Sequence, residues 1–209
     1  MKRPNTPSVS IEERLEQLKE KYNPMGQSID AYLEGLLYSK YLSYWDYIHL
    51  DTLLPLQTPR TDIPDENIFI LYHQITELYF KGILMEMEQM SALGSEITPK
   101  FFLERLGRIV RYFRQLVSSF DMMMDGMDFQ QFLQFRMALL PASGFQSAQF
   151  RKIEIWTTDF LNIVNKENRK DFDSTSQISE MFTYLYWQQG ATEAATGEKT
   201  LTLVQFETK

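Results

Sequence analysis

The chain has 209 residues, with 44% hydrophobic and 14% aromatic content, and 28 acidic against 21 basic side chains give a net charge of −7. That is enough apolar material for one sizeable core, and no Lys/Arg-rich block offers itself to nucleic acid or to an anionic membrane surface. Cysteine is absent, which removes disulfides, thiol catalysis, zinc–thiolate sites and iron–sulfur clusters.

The start, "MKRPNTPSVSIEERLEQ", has no apolar segment of the signal-peptide kind. No apolar run reaches the roughly 18 residues a membrane helix needs. A soluble cytoplasmic protein is the expectation. Residues 1–9 read as a loose polar arm. Ser10 and Glu13 have capping-box spacing, and Ile11, Leu15, Leu18 and Tyr22 then share one helical face. "NPMGQ" (23–27) breaks that helix. From Tyr32 to Leu54 the chain is aromatic and Leu-rich and predicts helix, an irregular join near Ser43, then helix. Residues 55–64 form a proline-punctuated loop. Pro64, Asp65 and Glu66 suit a helix first turn, because proline has no amide to leave unpaired and acids favour the positive helix end. That helix is predicted to run to about Met90.

Thr98-Pro99 is another start signal, followed by apolar residues at 102, 106, 109, 113, 116 and 120. The Met-rich turn "DMMMDGMD" leads to a short helix near 129–138, "LLPASGFQS" reads as a loop, and helices are predicted over about 147–165 and 176–189. The tail is polar apart from an alternating stretch at 200–206, which looks like half a hairpin. Long helices with short joins make the class all-α, a helical bundle. The expected division is an N-terminal arm and helix (1–28), a helical domain carrying the pocket (29–190) and a polar tail (191–209).

Three segments could carry chemistry. "FILYHQITELYFK" (69–81) is apolar nearly all round, so its helix should be buried, yet it carries His73. Phe69, His73, Glu77, Phe80 and Leu84 share one face by helical spacing. A core histidine bonded to a neighbour is the ordinary reading. A metal ligand, a proton shuttle and a substrate hydrogen bond are the sharper ones. In "FLQFRMALLPASGFQSAQFR" (132–151), Arg136 follows Phe129, Phe132, Leu133 and Phe135. It is either a snorkelling surface residue or a fork for a carboxylate. Pro141, Ser143 and Gly144 make either an ordinary helix–helix turn or one suited to close approach of a flat ligand. In "YLSYWDYIHL" (41–50), Tyr41, Tyr44, Trp45 and Tyr47 crowd together, as in a core or a subunit interface. A di-metal carboxylate bundle would need two Glu-x-x-His pairs, and Asp46-x-x-His49 is a single weak one. The methionines at 122, 123, 124 and 127 read as gap fillers.

Three blocks taken in order, "YLSYWDYIHLDTLL", "FILYHQITELYFK" and "FRMALLPASGFQSAQFR", resemble the tryptophan 2,3-dioxygenase family over residues 40 to 152. The resemblance implies a helical, homotetrameric haem b protein. Such a protein inserts both atoms of O₂ across the indole C2–C3 bond of L-tryptophan, giving N-formylkynurenine in tryptophan catabolism by the kynurenine pathway. It further implies that His73 is the distal histidine whose ring accepts the indole N–H, and that Phe69 packs on the indole. By the same resemblance Arg136 grips the substrate carboxylate, and Phe132 is a second wall, at a position where some relatives carry Tyr. Ser143 and Gly144 form the turn over the distal haem face. Tyr44 and Tyr47 match aromatics that reach into a neighbouring subunit's pocket. The family's proximal histidine, and the Thr-Gly-Gly loop that follows it, have no counterpart here: the chain has two histidines, so no residue of it is assigned to the iron. The expectation is that the chain is the N-terminal, distal-site part of a longer enzyme. The alternative is a short homologue that binds tryptophan, or acts as an oligomeric scaffold, without haem.

Overall fold

The structure is a computed structural model, and it describes residues 10–39, 43–140, 142–193 and 196–208. The expected loose arm (1–9), Tyr41 and Pro141 lie outside the described residues. The described chain is helical, with isolated β-bridges at Val164–Leu185 and Thr192–Lys199, so the fold is all-α as the sequence predicts. It divides into two units, Met1–Leu56 and Gln57–Lys209.

In the N-terminal unit, α1 (Ile11–Tyr22) starts at the expected capping box: Ser10 Oγ accepts the Glu13 N–H, and Glu13 accepts the Ser10 N–H. A short 3₁₀ turn, Asn23–Met25, ends on Gly26 at φ 76°, a left-handed position where glycine costs little. α2 (Ile29–Tyr38) is capped by Ser28, and Lys19 pairs with Asp30 across the α1–α2 turn at 2.9 Å. The helix expected after Ser43 is broken. Ser43 caps a single turn, α3 (Tyr44–Tyr47). His49 then adopts φ 54°, ψ 47°, and α4 (Leu50–Leu53) restarts before the 3₁₀ turn Leu54–Leu56. A left-handed histidine cannot continue an α-helix, and this is the physical reason for the break. No described residue of this unit is buried.

The C-terminal unit is organised by α5 (Asp65–Leu93), which α6 (Pro99–Ser119) and α9 (Ala148–Thr157) pack against. Thr98 caps α6 with Pro99 in the first turn, as the sequence announces. Ile83, Leu84 and Met87 from α5, Ile109 from α6 and Ile153 from α9 form the core, with Phe80, Met90, Tyr112, Phe113 and Leu116 around it. The helices approach closely at Gly82, where a Cβ would meet the Tyr112 ring at 3.1 Å. Glu86 is buried in the same seam and pairs with Arg105 at 3.0 Å and Arg108 at 3.2 Å. α7 (Asp121–Met124) and α8 (Phe129–Phe135) follow, and α8 tightens into the 3₁₀ turn Arg136–Leu139.

Four expectations are corrected in this unit. α5 is not buried all round, because Leu71, Ile75, Leu78 and Met85 stand exposed along one stripe. The helix predicted over 147–165 stops at Thr157. There Thr157 Oγ1 donates back to the Ile153 carbonyl, Thr158 is extended, and Asp159 caps a new 3₁₀ turn, Phe160–Ile163. The helix predicted over 176–189 is split into α10 (Ile178–Met181), a 3₁₀ turn and α11 (Tyr186–Gln189), because Leu185 is extended and bridges to Val164. The alternating stretch 200–206 is helical too: α12 (Leu201–Thr208) lays Leu203 and Phe206 against Trp187 and Ile163. Leu203 and Phe206 are three residues apart, the spacing of a helical face as well as of a broken alternation.

Candidate functional site

His73 lies in the N-terminal half of α5 and is half-buried. Its Nδ1 sits 2.8 Å from the Phe69 carbonyl oxygen, one turn earlier. A carbonyl can only accept, so Nδ1 carries the proton and donates it. In the neutral ring Nε2 is then a bare acceptor. The Phe69 ring stacks at 4.1 Å, centroid to centroid, on the imidazole, and Tyr72 meets it edge-on at 5.7 Å. The imidazole is thus held at one nitrogen and one face, which leaves Nε2 to interact with something else.

The second wall comes from α8. Phe135, fully buried, meets Phe69 edge-on at 5.9 Å, and Phe132 meets Phe135 at 5.6 Å and 89°. Phe132 therefore joins the cluster through Phe135, which the sequence reading noted only as part of an aromatic run. Arg136 follows at once, exposed, and no described acidic side chain pairs with it. A guanidinium free of an internal carboxylate, beside an aromatic wall, can take a carboxylate from outside.

Two consecutive acids hold these pieces together. Asp65 Oδ2 accepts the Asp128 N–H at 2.6 Å, and Gln131 Oε1 accepts the Asp65 N–H at 3.3 Å. Asp128 itself caps α8, accepting from the Gln130 and Gln131 N–H groups. Glu66 is 1% exposed. It accepts from the Arg60 N–H at 2.8 Å, the Thr61 N–H at 2.8 Å and Thr61 Oγ1 at 2.6 Å. Burial pushes the Glu66 carboxyl up, but the hydrogen bonds from Arg60 and Thr61, and the Arg60 charge, outweigh it and hold the group below its ordinary 4.5. The Arg60 guanidinium in turn donates to the Ala138 carbonyl at 3.3 Å, inside the 3₁₀ turn that begins at Arg136. From the sequence, both acids read as helix-dipole partners. The signal for Glu66's other role was weak, since its donors are backbone amides whose positions only the folded loop defines.

The Ser143–Gly144 turn is well built. Ser143 Oγ accepts the Phe145 N–H, and Gln146 closes a capping box onto the Ser143 N–H at 3.1 Å. Gln146 also donates to the Thr202 carbonyl at 3.0 Å. Below it lies Arg151, buried to 6% exposure. Arg151 donates to Glu154 at 2.6 Å, to the Tyr186 hydroxyl at 2.7 Å and to the Phe145 carbonyl at 3.3 Å. Its guanidinium also faces the rings of Phe145, Phe150, Tyr186 and Trp187. Burial and the Glu154 hydrogen bond push the Tyr186 phenol up. Among the described residues no hydrogen bond or ring contact joins this turn directly to His73. A polar link between α9 and α5 is Gln149, which donates to the Glu77 carbonyl and carboxylate at 2.9 and 2.8 Å, one turn beyond His73. Tyr44 and Tyr47 stand exposed on α3 of the N-terminal unit. Among the described residues no group of three His, Asp or Glu side chains could hold a metal ion.

Fold and site together define an all-α protein with an aromatic-walled imidazole on its long helix and an unpaired guanidinium on the neighbouring segment. A sequence model of the tryptophan 2,3-dioxygenase family matches residues 34–200, and the chain belongs to that family. It is similar to the tryptophan 2,3-dioxygenase of Ruegeria pomeroyi, 40% identical over 135 residues that cover 62% of this chain and 48% of the relative. Against the tryptophan 2,3-dioxygenase of a second Ruegeria it is 43% identical over 114 residues, 54% of this chain and 40% of the relative. Against that of Sorangium cellulosum it is 39% identical over 128 residues, 56% of this chain and 31% of the relative. The chain therefore spans less than half of each of these relatives. No helix among the described residues is long and apolar enough to cross a membrane.

Proposed function

We propose that this chain supplies the substrate-facing half of the site in a cytoplasmic, homotetrameric, haem-dependent tryptophan 2,3-dioxygenase, which adds O₂ across the indole C2–C3 bond of L-tryptophan to give N-formylkynurenine. The observation that carries the reading is the His73 Nδ1 bond to the Phe69 carbonyl. It fixes the neutral ring with Nε2 as acceptor, the polarity an indole N–H requires. Phe69 then packs on the indole, with Phe132 as the further wall. Arg136 pairs with the substrate carboxylate, and that charge-assisted pair is worth about 1.5–3 kcal/mol. Ser143 and Gly144 are the residues that would hold haem, at the turn they form. A site with a dedicated acceptor and a dedicated cation rejects analogues lacking either group, because its own polar atoms would be left unpaired.

Haem supplies the activation of O₂ when bound. Ser143 and Gly144 would hold it, and no residue of this chain is assigned to the iron. The chain has two histidines; His73 is committed to the indole in this reading, and His49 lies in the other unit in a left-handed turn. The donor set also favours a second reading, a tryptophan-binding homologue that works without haem. Support for a homo-oligomer comes from apolar surface without cover: Tyr44, Tyr47, Leu37 and Tyr38 in the N-terminal unit, and the Leu71–Ile75–Leu78–Met85 stripe on α5.

Calorimetric titration of the protein with three ligands tests the reading. L-tryptophan should bind about tenfold more tightly than tryptamine, which lacks the carboxylate, and than 1-methyl-L-tryptophan, which lacks the N–H. Arg136→Ala should erase the first difference and His73→Ala the second. Equal affinity for all three ligands would end the proposal. A Soret band that forms with haemin and shifts with L-tryptophan supports the dioxygenase. Tryptophan binding in a protein that stays colourless supports the second reading.

A further inference from the structure

The segment that carries Phe132 and Arg136 is fixed at both ends by neighbouring acids of one helix turn. At its start, Gln131 Oε1 accepts the Asp65 N–H, and Asp65 Oδ2 accepts the Asp128 N–H. At its end, the Ala138 carbonyl accepts from Arg60. The backbone of Arg60 and Thr61 is in turn gathered onto the buried Glu66 carboxylate by three donors. Both oxygens of Glu66 are used, Oε1 by Arg60 and Oε2 by Thr61. Phe69 and His73 stand one and two turns further along the same helix. The fold therefore has a short, stiff connection between the imidazole and the guanidinium. Every link in it is a hydrogen bond to a charged or backbone group, and the link at Glu66 is shielded from water.

We infer that Asp65 and Glu66 are positioning residues that set the distance between the His73 acceptor and the Arg136 cation, so that the site measures the spacing between an indole and a carboxylate. The inference rests on the indole–carboxylate reading of the pocket. Neither acid touches the ligand. Their role is to keep the Arg136–Leu139 turn from shifting along or away from α5. A ligand whose carboxylate lies one methylene too near or too far then meets a guanidinium that cannot follow it. A loose turn would follow, and the site would accept all lengths alike.

The test is a length series on the whole protein: indole-3-acetate, indole-3-propionate and indole-3-butyrate, each titrated calorimetrically into wild type, Glu66→Gln and Arg60→Ala. Gln at 66 turns one of two accepting oxygens into a donor facing an N–H group, so it unfastens the loop while keeping size. Arg60 is exposed, so its substitution spares the core should the Glu66 variant fold badly. Wild type should prefer the propionate, whose chain matches that of tryptophan, by about tenfold. Both variants should narrow that preference to about twofold with the propionate loss dominating. Amide hydrogen exchange should quicken at residues 60–63 and 136–139 and stay unchanged at Ile83 and Ile109. A variant that keeps the full length preference, or that weakens all three acids equally, overturns the inference and leaves the pocket reading intact. Wild type that does not distinguish the three acids overturns the inference together with that reading.

Discussion

The two units use the same kind of sequence to opposite ends. In the N-terminal unit, Leu33, Leu36, Leu37 and Tyr38 lie on a helix with good local signals, and Leu37 is 84% exposed. In the C-terminal unit, Ile83, Leu84 and Met87 have similar spacing on α5, and Ile83 is fully buried. What separates them is the partner. α5 has α6 and α9 to close on, with Gly82 thinned to let Tyr112 in. No element of the N-terminal unit buries a described residue. Helical periodicity states which residues would like to be covered; it does not say what covers them.

The comparison can be broken most sharply in the core. Ile83→Ala should cost about 2–5 kcal/mol, the range for a large-to-small change at a buried site, seen as a fall in the urea midpoint. A loss under about 1 kcal/mol would mean that the C-terminal unit lacks the tight packing described. The next effect is pH-dependent and belongs to Glu66. Its carboxyl lies below its ordinary 4.5 in the folded protein, so the unfolded chain binds the proton more readily. Its contribution is present above about 4.5 and is lost as the pH falls through the lower folded value. Among the described residues, Arg60 and Thr61 bond to that carboxylate. Wild type should therefore lose more stability than Glu66→Gln between pH 6 and pH 3.5 when both are unfolded in urea. Parallel losses would remove Glu66 from the account. The smallest effect lies in the N-terminal unit. Leu37→Ser should change monomer stability by no more than about 0.5 kcal/mol, as expected for an exposed site, and yet reduce the oligomeric mass seen by light scattering. An unchanged mass would take this surface out of the proposed interface.

Legibility followed the range of the interactions. Helix starts at Ser10 and Thr98-Pro99 were readable because a cap is satisfied within three residues. So was the pairing of His73 with Phe69 on one face. The stop at Thr157 was written locally too, in the run Thr-Thr-Asp, but was masked by apolar residues that continue beyond it. The break at Leu185 was not readable, since it follows from a bridge to Val164, far along the chain. The helix at 201–208 misled for another reason: Leu201, Leu203, Val204 and Phe206 fit both periods over so short a run, and Trp187 decides between them. Within the candidate site, the residues proposed to face a ligand lie in recognisable motifs. The ones that hold the site together, Asp65, Glu66 and Arg60, do not, because backbone amides leave no mark in the sequence.

The central claim is that the neutral His73 ring is protonated at Nδ1 and offers Nε2 to the indole. Nitrogen-15 NMR of the two imidazoles, with His49→Gln to assign them, reads this directly. The account predicts a protonated-type signal at His73 Nδ1 and a bare acceptor-type signal at Nε2, the latter moving upfield when L-tryptophan is added and staying put with 1-methyl-L-tryptophan. A proton resident on Nε2 in the neutral ring, or an Nε2 signal indifferent to L-tryptophan, would contradict it.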